Sequence, residues 1–462
     1  MLDTLIYLMP LIMFGVLAVV LFTGYPVAFI LGGISLFFAV LGDWAGVFRL
    51  DQIQLVPLRI YGGTMASLVL VAIPMFTFMG TMLEKSGVAA DLLEALQVLL
   101  RRVPGGLALS VTLMGTIMAA TTGIIGASVV MMTLMALPVM MKANYSIPLA
   151  TGTIAASGTL GILIPPSIML VIMSDLLSVP VGTVFIAAIV PGLLLAVLYT
   201  VYIFLLCRWK PELAPPMADD MGPSTRADFW QMILRSFLPP IFLIVAVLGS
   251  IFAGLATPTE ASGVGAVGSV LLAWFNKRLN WETFKDVCVR SSLTGAMLFG
   301  IFVGATAFSF VFKSIGGEHL IVEFIQNTSA GPWSILLVLM AMVFALGFFF
   351  DWIEITLIVL PIFAPIVALL DFGGHVGVWD GVSNPIVIWF LILVAVNLQT
   401  SFLTPPFGFA LFYLKGVAPP EVKIQQIYKG IIPFVGLQVF GLFLCVVFPA
   451  LVLWLPSFAL GG

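Results

Sequence analysis

Two Pro-Pro pairs sunk in apolar stretches set the tightest limit on how this chain folds: Leu160-Gly-Ile-Leu-Ile-Pro165-Pro166-Ser167 and Ser401-Phe-Leu-Thr404-Pro405-Pro406-Phe407-Gly408. Each proline removes a backbone donor and clashes with the carbonyl four residues earlier, so a pair unwinds a helix and frees carbonyls. In a bilayer, irregular backbone survives only where protein buries it or water lines it, and discontinuous helices repeated in two halves mark the sites of secondary transporters. The surroundings of both pairs are membrane material. With 61% hydrophobic and 8% charged residues, the chain lies far from the soluble range of about 45–50% apolar and about 25% charged. A net charge of −3 gives no reason to expect nucleic acid. Cys207, Cys288 and Cys445 are isolated, which argues against a disulfide framework, zinc or an iron–sulfur cluster. The start, Met1-Leu-Asp3-Thr, has no basic n-region, so the run from Leu5 to Phe22 is expected to be a first span rather than a leader.

A hydrocarbon core of about 30 Å needs about 20 apolar residues per helix. Full spans are expected near residues 5–22, 26–42, 66–83, 181–206, 237–256, 258–275, 292–312 and 430–456. Residues 107–141 and 333–370 fit differently, because small or polar residues sit at their centres (Thr121-Thr122-Gly123 to Ser128, and Gly347 to Thr356). Each reads as a re-entrant helical hairpin. Residues 148–178 and 385–417 are the broken helices. The fold class is therefore an all-α polytopic membrane protein built as a repeat. Residues 1–207 form the first half, 208–235 a cytoplasmic linker rich in proline, and 236–462 the second half.

Charge orients the repeat. With the N-terminus outside, fifteen of the eighteen Lys and Arg fall inside, and only Arg49, Arg59 and Lys313 fall outside. That follows the positive-inside rule and makes the first hairpin enter from the cytoplasm and the second from the periplasm. The halves are then inverted, the geometry of alternating access around a midplane site.

Polar residues gather at the breaks. Ser157 and Thr159 precede the first pair and Ser167 follows it, while Asn397, Thr400 and Thr404 precede the second. Oxygen donors beside unwound backbone suit a hard cation such as Na⁺, and we expect Thr159, Asp351, Asn397 and Thr404 among its ligands. Close packing by small residues is the plainer account of the same Ser, Thr and Gly. Asp351 and Glu354 lie one turn apart in the second hairpin, where an unpaired carboxylate costs about 3 kcal/mol or more. Asp351 reads as a cation ligand or a helix cap, and Glu354 as a residue facing a cavity. In the first hairpin, Thr122, Gly126 and Ser128 flank exposed N–H groups whose positive dipole end attracts an anion. The expected substrate residues are Thr122, Gly126, Ser128, Ser157, Pro165, Pro166, Ser167, Thr400, Pro405 and Pro406. Glu260, after Thr257-Pro258, is expected to cap a helix. His319 and His375 read as surface residues, and Trp274, Trp281, Trp333 and Trp352 as belt residues at the interface.

At this point the residues resemble a known family. Ser157-Gly-Thr-Leu-Gly161-Ile-Leu-Ile-Pro165-Pro166-Ser167, Ala253-Gly-Leu-Ala-Thr257-Pro258-Thr259-Glu260-Ala261 and Leu403-Thr404-Pro405-Pro406-Phe-Gly408 together look like the large membrane subunit of tripartite ATP-independent periplasmic (TRAP) transporters. The resemblance implies Na⁺-driven uptake of an organic anion, usually a carboxylate, across a bacterial inner membrane by elevator-like movement. It also implies a periplasmic substrate-binding protein and a small four-helix membrane subunit as partners, with no organic cofactor. The chain departs from the family's pattern at both tips. Where a Ser-Gly-Ser-Ser-like run is usual it has Thr122-Gly123-Ile124-Ile125-Gly126, and where Leu-Asp-Pro is usual it has Phe350-Asp351-Trp352.

Three rival classes remain at the level of sequence. A stand-alone Na⁺/carboxylate symporter or antiporter of related two-hairpin architecture would need no binding protein. An intramembrane enzyme is disfavoured, because no Ser/His, HExxH or paired-acid arrangement lies in the spans. A channel would conduct passively instead of saturating.

Overall fold

The computed structural model describes residues 2–122, 125–216, 225–320, 323, 331–405 and 408–461, the side chains at 2, 3, 121, 122 and 226 excepted. Pro406 and the Thr122 side chain thus lie outside the described residues. In chain order the structure runs α1 (Leu2–Tyr7), α2 (Met9–Leu21), α3 (Val27–Trp44), an arm containing α4 (Leu55–Ile60) and a π-helical turn (Tyr61–Met65), α5 (Ala72–Lys85), α6 (Val88–Leu100), α7 (Gly106–Thr122) and α8 (Ile125–Lys142). It continues with α9 (Ile147–Thr159), α10 (Ile168–Leu176), α11 (Val181–Trp209), α12 (Arg226–Phe252), α13 (Pro258–Phe275) and α14 (Trp281–Ser314). Then follow α15 (Pro332–Leu346), α16 (Trp352–Ala368), α17 (Pro385–Ser401), α18 (Phe409–Val417), α19 (Ile424–Val447) and α20 (Ala450–Leu460). Among the described residues there is no strand.

Proline placement explains where expected spans come apart. The run 5–22 divides between α1 and α2 just before Pro10, and 430–456 divides between α19 and α20 at Pro449. Neither proline can donate the next helical bond. The expected span at 66–83 falls in the stretch Val69–Lys85, which the preceding arm, Leu50–Met65, meets at 63°. Among the described residues, six helices are long and apolar enough to cross a bilayer alone. Their outer faces are apolar in the way lipid requires: Leu234, Leu238, Phe242 and Val245 of α12 are all exposed.

A Pro-Pro pair alone does not break a helix. Pro239 and Pro240 lie inside α12, which runs through them without interruption. At residue 165 the break is built by neighbours as well. A 3-10 turn (Leu160–Ile162) ends α9, and Ser167 caps α10, accepting from Leu170 N at 3.4 Å and donating to Ile162 O. At residue 405, Gly408 N reaches Thr404 O at 2.9 Å, and Ala410 N, in the first turn of α18, reaches back to Phe402 O at 3.3 Å.

The broken helices occupy the centre. Every residue from Leu149 to Thr159 of α9 and from Ile388 to Ser401 of α17 is buried, as expected of helices apolar on all sides. The two legs of the first hairpin, α7 and α8, pack on α9, and α8 also packs on α18. The legs of the second, α15 and α16, pack on α17, and α16 also on α10. Each hairpin thus holds its own broken helix and the second half of the other. Outside this block, α3, α5, α13 and α14 pack together as a frame.

Helix crossings are tight where glycine allows. Gly152 of α9 and Gly430 of α19 meet backbone to backbone; a methyl on Gly430 would stand 3.1 Å from Gly152 N and closer still to Pro148 O. In lipid, where apolar contact with a neighbour gains little over contact with acyl chains, such approaches carry helix association.

The start of the expected linker is ordered. Ala214 is fully buried, and Leu213 O and Ala214 O accept bonds from Ser146 N (2.8 Å) and Gly105 N (3.2 Å), beneath the first hairpin.

Candidate functional site

The first hairpin tip meets α18. Gly126 at the first tip faces the Tyr413 ring, which would lie 3.0 Å from a methyl placed on the glycine. At the second tip Asp351 caps α16, its Oδ1 accepting from Trp352 N at 2.8 Å. Tyr413 is itself half-exposed. Nothing in the local pattern around Tyr413 signalled it; an aromatic hydroxyl soon after a Pro-Pro break is the one available clue.

The legs reach the broken helices through glycine. A methyl on Gly115 of α7 would stand 2.8 Å from Ser157 Cβ, and one on Gly347, which ends α15, 2.7 Å from Ser401 Cβ. Ser157 Oγ in turn donates to Thr112 Oγ1 at 3.4 Å. Ser157 is therefore held between α7 and α9 in a packed contact.

Among the described residues, the side chains beside the second break carry unmet hydrogen-bonding capacity. Asn397 donates to Met340 O at 2.7 Å, and its Oδ1 has no partner. Gln399 is fully buried with neither amide atom partnered, and Thr404 Oγ1 is also unpartnered. Thr400 Oγ1 donates to Asn397 O at 2.7 Å and Thr159 Oγ1 to Ala156 O at 2.9 Å, which leaves the lone pairs of both hydroxyls free to accept or to ligate. A buried polar atom without a partner costs about 1–3 kcal/mol, so each of these side chains holds capacity that another group could complete.

The unwound carbonyls are less free than the prolines alone imply. Ile162 O, Phe402 O and Thr404 O are each taken within the breaks. Side-chain oxygens, rather than those carbonyls, are the unmet donors for a cation. Among the described residues no cluster of three or more His, Cys, Asp or Glu could hold a metal.

The remaining expected residues fall as follows. Pro165 and Pro166 are buried, joined by a cis bond. Ser167 is committed to capping α10. Ser128 is buried, and Pro405 half-buried. Glu354 is 4% exposed, has one carboxylate oxygen unpartnered, and borders a crevice lined by Phe14, Phe350 and Ile358. It faces the α2 side of the bundle rather than an open cavity.

Two side chains, Trp352 and His375, are placed otherwise than expected, whereas Trp333 keeps the exposure expected of it. Trp352 is buried, since the second tip lies within the bundle and not at an interface. His375 is pinned instead of free, its Nε2 2.8 Å from Val446 O and its ring 4.7 Å from that of Trp333. Trp333 is half-exposed and packs edge-on to Trp389. Glu260 is the cap it was expected to be. Its carboxylate accepts from Thr257 N at 2.8 Å while Thr257 Oγ1 accepts from Glu260 N at 3.3 Å, a capping box.

Comparison with known proteins agrees with this architecture. Residues 14–451 match the family model described as tripartite ATP-independent periplasmic transporter, DctM component. The C4-dicarboxylate TRAP transporter large permease protein of Pseudomonas aeruginosa is 30% identical over 413 residues, covering 89% of this chain and 91% of that one. The isethionate TRAP transporter permease protein DctMQ of Oleidesulfovibrio alaskensis is 29% identical over 452 residues, covering 96% of this chain and 66% of that longer one. Among solved structures, the YdaH transporter of Alcanivorax borkumensis superposes with a TM-score of 0.58 at 17% identity, over 90% of this chain and 91% of that chain. That likeness concerns the fold.

Proposed function

The chain belongs to the DctM component family of tripartite ATP-independent periplasmic transporters, and we propose that it imports an organic anion together with Na⁺. It is an integral membrane permease, not an enzyme. The observation that carries the Na⁺ reading is the group of buried, unpartnered oxygens beside the second break, Asn397 Oδ1, Gln399 Oε1 and Thr404 Oγ1, with Asp351 at the adjoining tip. Each inward charge gains about 2.3 kcal/mol per 100 mV, so Na⁺ in excess of the anion's charge drives uptake against a gradient.

The substrate sits between the tips, against Tyr413, Gly126 and Ser128, with Thr122, Ser157, Pro165, Pro166, Ser167, Thr400, Pro405 and Pro406 around the breaks. The named relatives handle a C4-dicarboxylate and isethionate, a carboxylate and a sulfonate, which makes an organic anion the class to test. The block of hairpins and broken helices moves as one body against the frame of α3, α5, α13 and α14. This elevator reading is supported by the reciprocal packing of each hairpin on both broken helices. The halves 1–207 and 236–462 are then inverted repeats, oriented in an inner membrane with the N-terminus periplasmic. A periplasmic binding protein delivers the substrate, and a small four-helix membrane subunit packs on the frame. The relative named as a DctMQ permease is longer than this chain, as a fusion of both membrane subunits would be.

The test is uptake into proteoliposomes holding the chain and its small subunit, with and without the binding protein, across imposed Na⁺ gradients. Uptake that needs both Na⁺ and the binding protein is the expected result. Uptake by this chain alone would favour a stand-alone symporter, and passive conductance a channel.

A further inference from the structure

Away from the tips, a second cavity of about 390 Å³ opens between the arm, α14, α10 and α16, with Arg59, Thr64, Thr306 and Ser309 contributing its polar groups. Leu176 and Pro361 close it from the hairpin and broken-helix side. The cation at its rim is free. The Arg59 guanidinium lies 4.7 Å over the Phe310 ring, a contact that holds the flat face and leaves the N–H donors at its edge unused. No carboxylate pairs with Arg59 among the described residues, whereas Arg49 in the same arm is neutralised by Asp51 at 2.6 Å.

A second cation reaches the backbone of one lining residue, Pro361. Lys313 Nζ donates to Pro361 O at 3.4 Å and has no acid partner among the described residues. The positive-inside rule disfavours cations on the outer side. This chain keeps three there, and Arg59, which no acid neutralises among the described residues, lines the cavity. The arm is also irregular at this point. The π-helical turn Tyr61–Met65 inserts Gly62, Gly63 and buried Thr64 into the wall, and such turns recur at functional sites.

We infer that this cavity is an outer anion station, where the carboxylate or sulfonate of an organic acid rests on the Arg59 fork and the neighbouring hydroxyls before it reaches the hairpin tips. The inference rests on the uptake reading and on the orientation given with it. A planar guanidinium matches the two oxygens of a carboxylate better than an ammonium does. Because Leu176 and Pro361 belong to the moving block, its displacement reshapes the station and passes the anion inward.

An electrostatic probe tests the station without knowledge of the natural substrate. In sealed right-side-out vesicles, Ser309→Cys and Thr306→Cys are modified with an anionic sulfonatoethyl or a cationic trimethylammonioethyl methanethiosulfonate, and the rates are corrected for the parent chain. The anionic reagent is expected to react about tenfold faster, in line with steering by local charge. Arg59→Gln removes most of that preference, and Arg59→Lys retains part of it. A preference unaffected by Arg59→Gln, or no modification of either cysteine from outside, overturns the station. In uptake assays with a C4-dicarboxylate or isethionate, Arg59→Gln should raise the half-saturating concentration several-fold with Na⁺ dependence unchanged. A wild-type chain that takes up neither anion sinks the transport reading instead, and leaves the labelling result to stand or fall separately.

Discussion

Ser67 donates its hydroxyl to Asp175 Oδ1 across 2.7 Å, tying the arm before α5 to the end of the first broken helix. On the elevator reading this bond joins frame to moving block, so it can form in only one of the two end positions. Asp175→Ala should lower the population of that position by roughly fivefold, the equivalent of about 1 kcal/mol for a partly exposed hydrogen bond. Distances between spin labels on α5 and α10 would report it. An unchanged distance distribution would mean the two residues travel together.

Na⁺ dependence tests the second break. Asp351→Asn, Asn397→Ala and Thr404→Val should each raise the Na⁺ concentration for half-maximal uptake, by about tenfold if a donor contributes about 1.4 kcal/mol. Ser291→Ala removes a buried, unpartnered hydroxyl on α14 and should leave that concentration unmoved. Equal effects from all four would point to general destabilisation.

Gly430→Ala forces a methyl against Pro148 O and Gly152 N, backbone atoms that cannot rotate aside. Overpacking of this kind costs about 1–3 kcal/mol. The detergent-solubilised protein should melt earlier, while Gly436→Ala, with nothing within 4 Å, should not. Matching melting temperatures for the two variants would refute the crossing.

Thr257→Ala removes one arm of the capping box on α13, worth about 1 kcal/mol. Hydrogen exchange at the amides of residues 259–262 should quicken, with uptake unaffected. A loss of uptake would assign this motif a role beyond capping.

Much of the fold was legible in local signals. The Glu260 cap followed from Thr257, Pro258 and the spacing to the acid. The two hairpins followed from small and polar residues interrupting long apolar runs. Helix ends at Pro10 and Pro449 were missed because a hydropathy window averages over a single lost hydrogen bond. The Pro239–Pro240 pair marks the limit of the proline argument: without a 3-10 turn and a capping serine nearby, the same dipeptide lies inside a continuous helix. Trp352 and His375 were misjudged for a related reason. Aromatic and imidazole side chains favour interfaces on average, and nothing adjacent to them in sequence records which helix covers them.

The chain's own order of residues determined that it lives in a bilayer, where its helices break and which acids and amides lie near the breaks, because hydrophobicity, proline and caps act within a few residues. Tertiary packing decided the rest: that Gly126 arrives at Tyr413, that Asn397 turns its amide to Met340 and leaves its oxygen unmet, and that Arg59 stands over Phe310 with no acid partner among the described residues. Those relations join residues far apart in the chain. In lipid an apolar face does not distinguish a neighbouring helix from an acyl chain, so only shape and hydrogen bonding between helices select the partner.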